Sequence, residues 1–417
     1  MTTNETTAPA ETGGRCPLGF DRPRADWDPA AHEGGAPIVA ELARLRQEAP
    51  VAWTDAGGGY WTVTRYADVT AAARNTAQFS NVPRHPRIGT VFTPPLEADR
   101  PVHTSFRRLL NQFFTRDYLA AHTAWLEELA DAFIDRLTAQ DAAADADADL
   151  AHADWVVELC MPLPATVLCR LIGMPDEDWR QIRSWTETSF LTHRDRGDDP
   201  ERFAEVNASL NEYGQALIDR ARREEGRDDI VAALLVDPIA EGLDDAQIFG
   251  LVRLLLQAGH STTAMGMSNV LHRLAVDADA QRFVRDHPDR LDDVVREILR
   301  ADTPVLANVR RVTEDVEFGG RQLRRDDHVL LSWGAANNDP ERISDPERID
   351  PDRPVTDSLT FGHGIHKCPG MPLAIREISV VMDRLLQRTT WFSLRGEAQR
   401  KRWEGNGVVS MGIVTER

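Results

Sequence analysis

Apolar residues recur at three- and four-residue spacing over much of the chain, notably across positions 38–48, 105–114, 121–137, 248–274 and 291–301. That period puts them on one face of an α-helix and predicts helices over those segments. Two short β-prone runs, 51–54 and 60–63, flank Gly57-Gly58-Gly59, the pattern of a hairpin around a glycine turn. A second β region is predicted from 316–318 through the Gly319-Gly320 turn to 328–331. The chain therefore reads as mainly α with a small β-rich part.

Its 417 residues are enough for two or three domains by length alone, yet no linker divides them. The one biased stretch, 141–149, alternates Asp with Ala and reads as an acidic surface loop or a solvated helix end. Residues 1–25 are polar and read as a loose tail. The net charge of −19, from 48 Lys+Arg against 67 Asp+Glu, repels phosphate backbones and argues against nucleic acid. No apolar run approaches the ~18 residues of a membrane span, and no signal peptide is evident. A soluble cytoplasmic protein with no membrane partner is expected. The four cysteines are scattered, so no disulfide framework is suggested. Cys160 and Cys169 fall in an apolar run and read as small core residues. No internal repeat is present.

Cys368 stands apart. It lies in Phe361-Gly-His-Gly-Ile-His366-Lys-Cys368-Pro-Gly370, directly ahead of an apolar helical stretch. Glycines at 362, 364 and 370 permit backbone angles and close approaches that a Cβ would block. Backbone N–H groups of such a loop, and of the helix start behind it, can favour the thiolate. A flat cofactor could lie on the glycines with the sulfur as axial ligand. Other readings are a buried core cysteine, or a zinc site from His363, His366 and Cys368, which lacks the fourth ligand that structural zinc wants.

The pattern F-G-x-G-x-H-x-C-x-G-x-x-L-A, filled here through Leu373 and Ala374, resembles the haem-binding loop of the cytochrome P-450 superfamily. The resemblance runs from about residue 37 to the C-terminus. It implies one catalytic domain over 26–417 in the cytochrome P-450 fold, with haem b (iron protoporphyrin IX) between a long distal helix and the Cys loop. Cys368 would ligate the iron, with Phe361 and Gly370 shaping the loop. Ala258-Gly-His-Ser-Thr-Thr263 matches the family's A-G-x-[D/E]-T-T. Gly259 would leave room beside the oxygen ligand and Thr262 would guide a proton. The chain departs from the pattern at Ser261, which replaces the expected acid and can relay protons only through its hydroxyl. The neighbouring His260 reads as a partly exposed helix residue. His103-Thr-Ser-Phe-Arg107, Arg310 and His366 match positions that hold the haem propionates, where an arginine fork suits a carboxylate. Glu297-Ile-Leu-Arg300 resembles the E-x-x-R pair, completed by Arg353, with Arg348 as the other candidate. Pro369 lacks the N–H that relatives can aim at the sulfur.

The implied activity is insertion of one oxygen atom from O2 into a small or medium organic substrate, by hydroxylation, epoxidation or dealkylation. Alternatives are a peroxide-dependent haem-thiolate enzyme, suggested by Ser261, and a non-catalytic haem-binding protein, which intact Cys368 and Thr262 oppose. By the same resemblance the substrate would be lined by 81–93, 190–203, 255–262, 305–307 and 408–409. The basic trio Arg84, His85 and Arg87 in the first of these reads as solvated. No flavin or iron–sulfur motif is present, so a ferredoxin and ferredoxin reductase are the expected electron donors. Arg108, Arg116, Lys367 and Arg376 are candidates for the patch that receives them.

Overall fold

The computed structural model describes residues 25, 27–28, 35–83, 92–189, 200–224, 226–401 and 405–416. Residues 1–24 of the expected tail, the trio Arg84, His85 and Arg87, and residues 190–199 of the expected pocket wall lie outside them.

The described chain is mostly helical with a small β part, as expected. The first hairpin forms over the predicted residues: β1 (Val51–Thr54) runs antiparallel to β2 (Tyr60–Val63), with Trp53 opposite Trp61. Gly58 and Gly59 make the turn at φ +94° and +92°, where a side chain is strained. β2 then pairs in parallel with β7 (His328–Ser332). β7 pairs antiparallel with β4 (Ala307–Val312), and β4 with β3 (Phe79–Ser80), giving the order β1-β2-β7-β4-β3.

The second β region differs from the sequence reading. Gly319-Gly320 closes a tight hairpin between β5 (Val316–Phe318) and β6 (Arg321–Leu323). The run expected to close it, 328–331, instead lies in the strand His328–Ser332 at the centre of the larger sheet, paired on one edge with β2 and on the other with β4 and buried from Val329 onward.

Two helices also depart from their predicted bounds. The pattern over 248–274 is split into Asp245–Ala258 and Ser261–Val276. Gly259 ends the first helix at φ −86°, ψ −11°, and His260, at φ −120°, ψ −51°, leaves helical geometry before the second begins. The apolar pattern runs through the break because apolar residues on either side of it are buried. The predicted 121–137 helix runs Thr123–Ala146 and takes in the start of the acidic stretch. Asp141 there is buried, accepting from Ala153 N at 2.9 Å and Trp155 Nε1 at 2.9 Å, which ties the helix to the returning chain. Asp145, Asp147 and Asp149 are exposed, as a solvated helix end requires.

The main core lies among helices Thr123–Ala146, Pro162–Ile172, Asp245–Ala258, Ser261–Val276, Leu291–Ala301 and Met371–Arg388. Cys160 and Cys169 are buried in it, as expected. Among the described residues no helix is long and apolar enough to cross a membrane.

Candidate active site

The Cys368 loop is fixed from three sides. Cys368 N donates to Phe361 O at 2.8 Å, closing the loop on itself. Gly362 and Gly364 both sit at φ +74°. A Cβ on Gly364 would come within 2.4 Å of Ala73 O, so glycine lets the loop rest on the end of helix Tyr66–Arg74. From that helix Arg74 Nε donates to His363 Nε2 at 2.7 Å. Behind the sulfur, helix Met371–Arg388 begins, with backbone hydrogen bonds from Gly370 and Met371 to Cys368. The sulfur is exposed to the open side of the loop, yet close packing on its other sides pushes the thiol up from its ordinary value. The Gly370 and Met371 backbones and the Arg107 guanidinium pull the other way. Pro369 contributes no such bond.

Facing this loop is a cluster of nitrogen donors from three elements. His103 and Arg107 come from helix Val102–Asn111, Arg310 from β4, and His366 from the loop itself. The His103 and His366 rings meet edge-on with centroids 4.6 Å apart. Burial, reinforced by Arg310, His103 and Arg107, pushes His366 down to about 3, and burial pushes Arg310 down to about 10. His103 Nε2, His366 Nε2 and Arg310 Nε are buried with no hydrogen-bond partner. Arg310 donates to Val309 O, and Arg107 to Asn111 Oδ1 at 2.8 Å. Buried donors left unmade are costly. The charge of Arg107 and Arg310, beside imidazole nitrogens that have no partner, calls for an anionic ligand with hydrogen-bonding oxygens, and a pair of carboxylates at the rim of a flat cofactor fits that need. The cluster thus passes the chemical test for haem.

The other part of the candidate site is the break between the helices Asp245–Ala258 and Ser261–Val276. Thr262 Oγ1 donates to Ala258 O at 2.9 Å, satisfying a carbonyl that the break leaves without its helical N–H. Thr262 and Ser261 are half-buried. A Cβ on Gly259 would lie 2.7 Å from Leu255 O and 3.1 Å from Leu168 Cδ1, so the contact that requires glycine here is with the backbone of the preceding helical turn. His260, expected to be partly exposed, is 2% exposed, its Nδ1 3.0 Å from Leu256 O. The break turns its side chain inward. The expected lining at 305–307 and 408–409 is brought near the distal helix: Val305 bridges Gly405, and Gly405 and Gly407 close on Met265.

The Glu297 network props the loop region from below. Glu297 and Arg300 form a fork at 2.9 Å and 2.9 Å, and Arg353 Nε reaches Glu297 Oε1 at 2.8 Å. Arg353 is therefore the third member, and Arg348 is not. Arg300 also donates to Asn337 O and Pro346 O, each at 2.7 Å. Asn337 in turn accepts from Leu359 N at 2.6 Å and donates to Thr303 Oγ1 at 2.7 Å. Neither Asn337 nor Arg74 stands out in the sequence. Each acts through a partner that only folding brings close. Among the described residues no cluster has the composition of a metal-ion site, which leaves nothing for the zinc reading.

A mainly helical fold that sets one cysteine loop beside a cluster of nitrogens without partners is suited to hold a haem. Residues 201–414 match the family model described as Cytochrome P450. The chain is 31% identical to Cytochrome P450 107B1 of Saccharopolyspora erythraea, over 87% of this chain and 90% of that protein. It is 32% identical to Cytochrome P450 monooxygenase PikC of Streptomyces venezuelae, over 88% and 87%. The crystal structure of CYP108D1 from Novosphingobium aromaticivorans superposes with a TM-score of 0.80 at 27% identity, covering 91% of this chain and 94% of that one. The chain belongs to the cytochrome P450 family, and it is a P450 monooxygenase, an oxidoreductase whose family binds haem b.

Proposed function

We propose that this monooxygenase holds haem b on Cys368 and takes its electrons from a separate ferredoxin and ferredoxin reductase. It acts in the cytoplasm on a small or medium organic substrate, within one catalytic domain over 26–417. When bound, the haem iron supplies O2 activation. The chain's own residues supply the rest. Cys368 provides the axial sulfur, and Phe361 and Gly370 shape its loop. His103, Arg107, Arg310 and His366 receive the propionates. Gly259 permits the break in the distal helix, and Thr262 and Ser261 hold and pass protons at their hydroxyls. Arg108, Arg116, Lys367 and Arg376 are all exposed and can receive an acidic donor protein.

The observation that carries this reading is the set of buried, partnerless nitrogens at His103, Arg310 and His366 facing the Cys368 loop. Three such donors in one place are explained by an anionic cofactor and by little else. The test is the reduced carbon monoxide spectrum, which is red-shifted when thiolate ligates haem iron. Wild type should show that band and Cys368→Ser should lose it. Turnover with NADH, ferredoxin and reductase, compared with peroxide alone, separates the O2-dependent reaction from a peroxide-driven one. Product formed only with peroxide would overturn the electron-donor assignment.

A further inference from the structure

A file of aromatic rings leads away from the Cys368 loop. Phe114 lies against it: a Cβ on Gly370 would sit 3.8 Å from the Phe114 ring and 3.8 Å from Cys368 Sγ. The adjacent Phe113, which is buried, meets Tyr118 edge-on at 5.6 Å between centroids. Tyr118 meets His122 at 4.7 Å, and His122 meets Trp125 at 5.9 Å. Trp125 Nε1 donates to His122 Nδ1 at 3.1 Å, and the Arg170 guanidinium lies 5.1 Å above the indole. Trp125 is half-buried, so the file starts at the site and ends at the surface.

Edge-on ring pairs are ordinary packing. Two features here go further. Tyr118 and Trp125 are the two easily oxidised rings of the file. The Trp125 N–H is also aimed at an imidazole nitrogen that can take its proton. Burial holds His122 below its ordinary value, which keeps that nitrogen free near neutral pH. A second pair, Trp185 and Tyr213 at 5.4 Å, has similar ring chemistry. Among the described residues no ring contact connects it to the Cys368 loop.

We infer that the file Phe114, Phe113, Tyr118, His122 and Trp125 drains oxidising equivalents from the haem site when no substrate consumes them. This rests on the haem-thiolate reading above. The source of those equivalents is hydrogen peroxide or O2 reduced in the site. One electron leaves Trp125 and passes through Tyr118 and the phenyl rings to the oxidised haem centre, which is reduced by one electron. The indole N–H proton moves to His122 Nδ1. The indolyl radical is then quenched at the surface by one electron and one proton from a small thiol, and His122 returns its proton to water.

The test uses ferric, haem-loaded protein without substrate, mixed with hydrogen peroxide and frozen for electron paramagnetic resonance. Ring-deuterated tryptophan identifies an indolyl signal. Wild type should show it. Trp125→Phe should lose it and bleach its haem absorption faster. His122→Phe keeps a ring in the file but removes the proton acceptor, and should lose the neutral indolyl signal too. Trp185→Phe should match wild type in both readouts. The inference is overturned if wild type gives no indolyl radical, if Trp125→Phe retains it, or if Trp185→Phe removes it. Each protein is first checked for the carbon monoxide band. Its absence in wild type would count against Cys368 ligation itself, a failure distinct from that of the ring file.

Discussion

At the scale of single residues, the departures from the family pattern are the most informative. Ser261 replaces an acid at the start of the helix after the break, next to Thr262, whose hydroxyl is bonded to Ala258 O. A serine can pass a proton only by exchanging it with a neighbour. Losing a positioned proton-transfer group typically costs on the order of 10²–10⁴ in rate, so Thr262→Ala should divert electrons into peroxide release. Ser261→Asp distinguishes two explanations of the serine. If it is merely a poor relay, the aspartate should raise the rate of O2 consumption and the fraction coupled to product. If it suits the substrate, the aspartate should weaken binding, because a charge then stands at a half-buried position that an apolar substrate would desolvate. Coupling efficiency and substrate affinity, measured together, decide between them. Pro369 acts on the sulfur instead. With Gly370 and Met371 as backbone donors and none from position 369, Pro369→Leu should add an N–H there. Fewer donors to a thiolate favour ferric iron, so the variant should have the higher reduction potential by redox titration.

At the scale of elements, the Cys368 loop is a rigid insert held by its neighbours. Helix Tyr66–Arg74 supplies Arg74, and helix Leu291–Ala301 supplies Glu297 and Arg300, while Arg353 comes from the segment ahead of the loop. Glu297, Arg300 and Arg353 are all at most 8% exposed at the side chain, so water cannot replace a lost partner. Breaking a buried pair by removing one partner costs about 3–5 kcal/mol. Glu297→Gln strands two guanidinium groups, whereas Arg353→Met leaves Glu297 paired with Arg300. Glu297→Gln should therefore lower the denaturant midpoint more, and both should release haem earlier than wild type on titration. Equal midpoints would show that the three-way network does not support the fold.

At the scale of the whole molecule, acid should loosen the join between the distal helix and the C-terminal hairpin of β8 (Trp391–Arg400) and β9 (Val408–Glu416). His272 lies there with Arg400 Nη2 3.3 Å from its Nδ1. Burial first, and then Arg400, push it down to about 4, with Asp302 opposing. Below pH 6.5 the unfolded chain protonates this histidine and the folded one does not. The unfolded state then binds more protons, so stability falls as pH drops from 6.5 towards 4 and is flat below that. A shift of this size corresponds to at most about 3 kcal/mol before solvent screening. His272→Gln should flatten the fall in melting temperature over that window. An unchanged slope would assign the acid sensitivity elsewhere.

Much of this protein is legible in the chain alone, for identifiable reasons. Helix Leu291–Ala301 and the hairpin β1–β2 fall on the predicted residues, because strict periodicity and a triple-glycine turn are local signals. The Cys368 loop is legible because its chemistry needs fixed spacing over ten adjacent residues. The motif favours Arg353 over Arg348, and Arg353 is the one that bonds Glu297. What the sequence does not contain is the effect of distance. The break at Gly259 and His260 falls inside a run of buried apolar residues, so periodicity passes over it. The inward turn of His260 follows from that break. The Arg74–His363 bond spans 289 positions and the Gly364 contact with Ala73 depends on how two elements meet. Likewise β7 joins the larger sheet, where both of its edges are paired, by β2 and by β4, neither of which is the strand next to it in the chain. The sequence determined which groups could hold a haem and act on oxygen. Tertiary packing alone decided that His103 Nε2, Arg310 Nε and His366 Nε2 end up buried near one another without partners, since desolvation and convergence are properties of the folded chain.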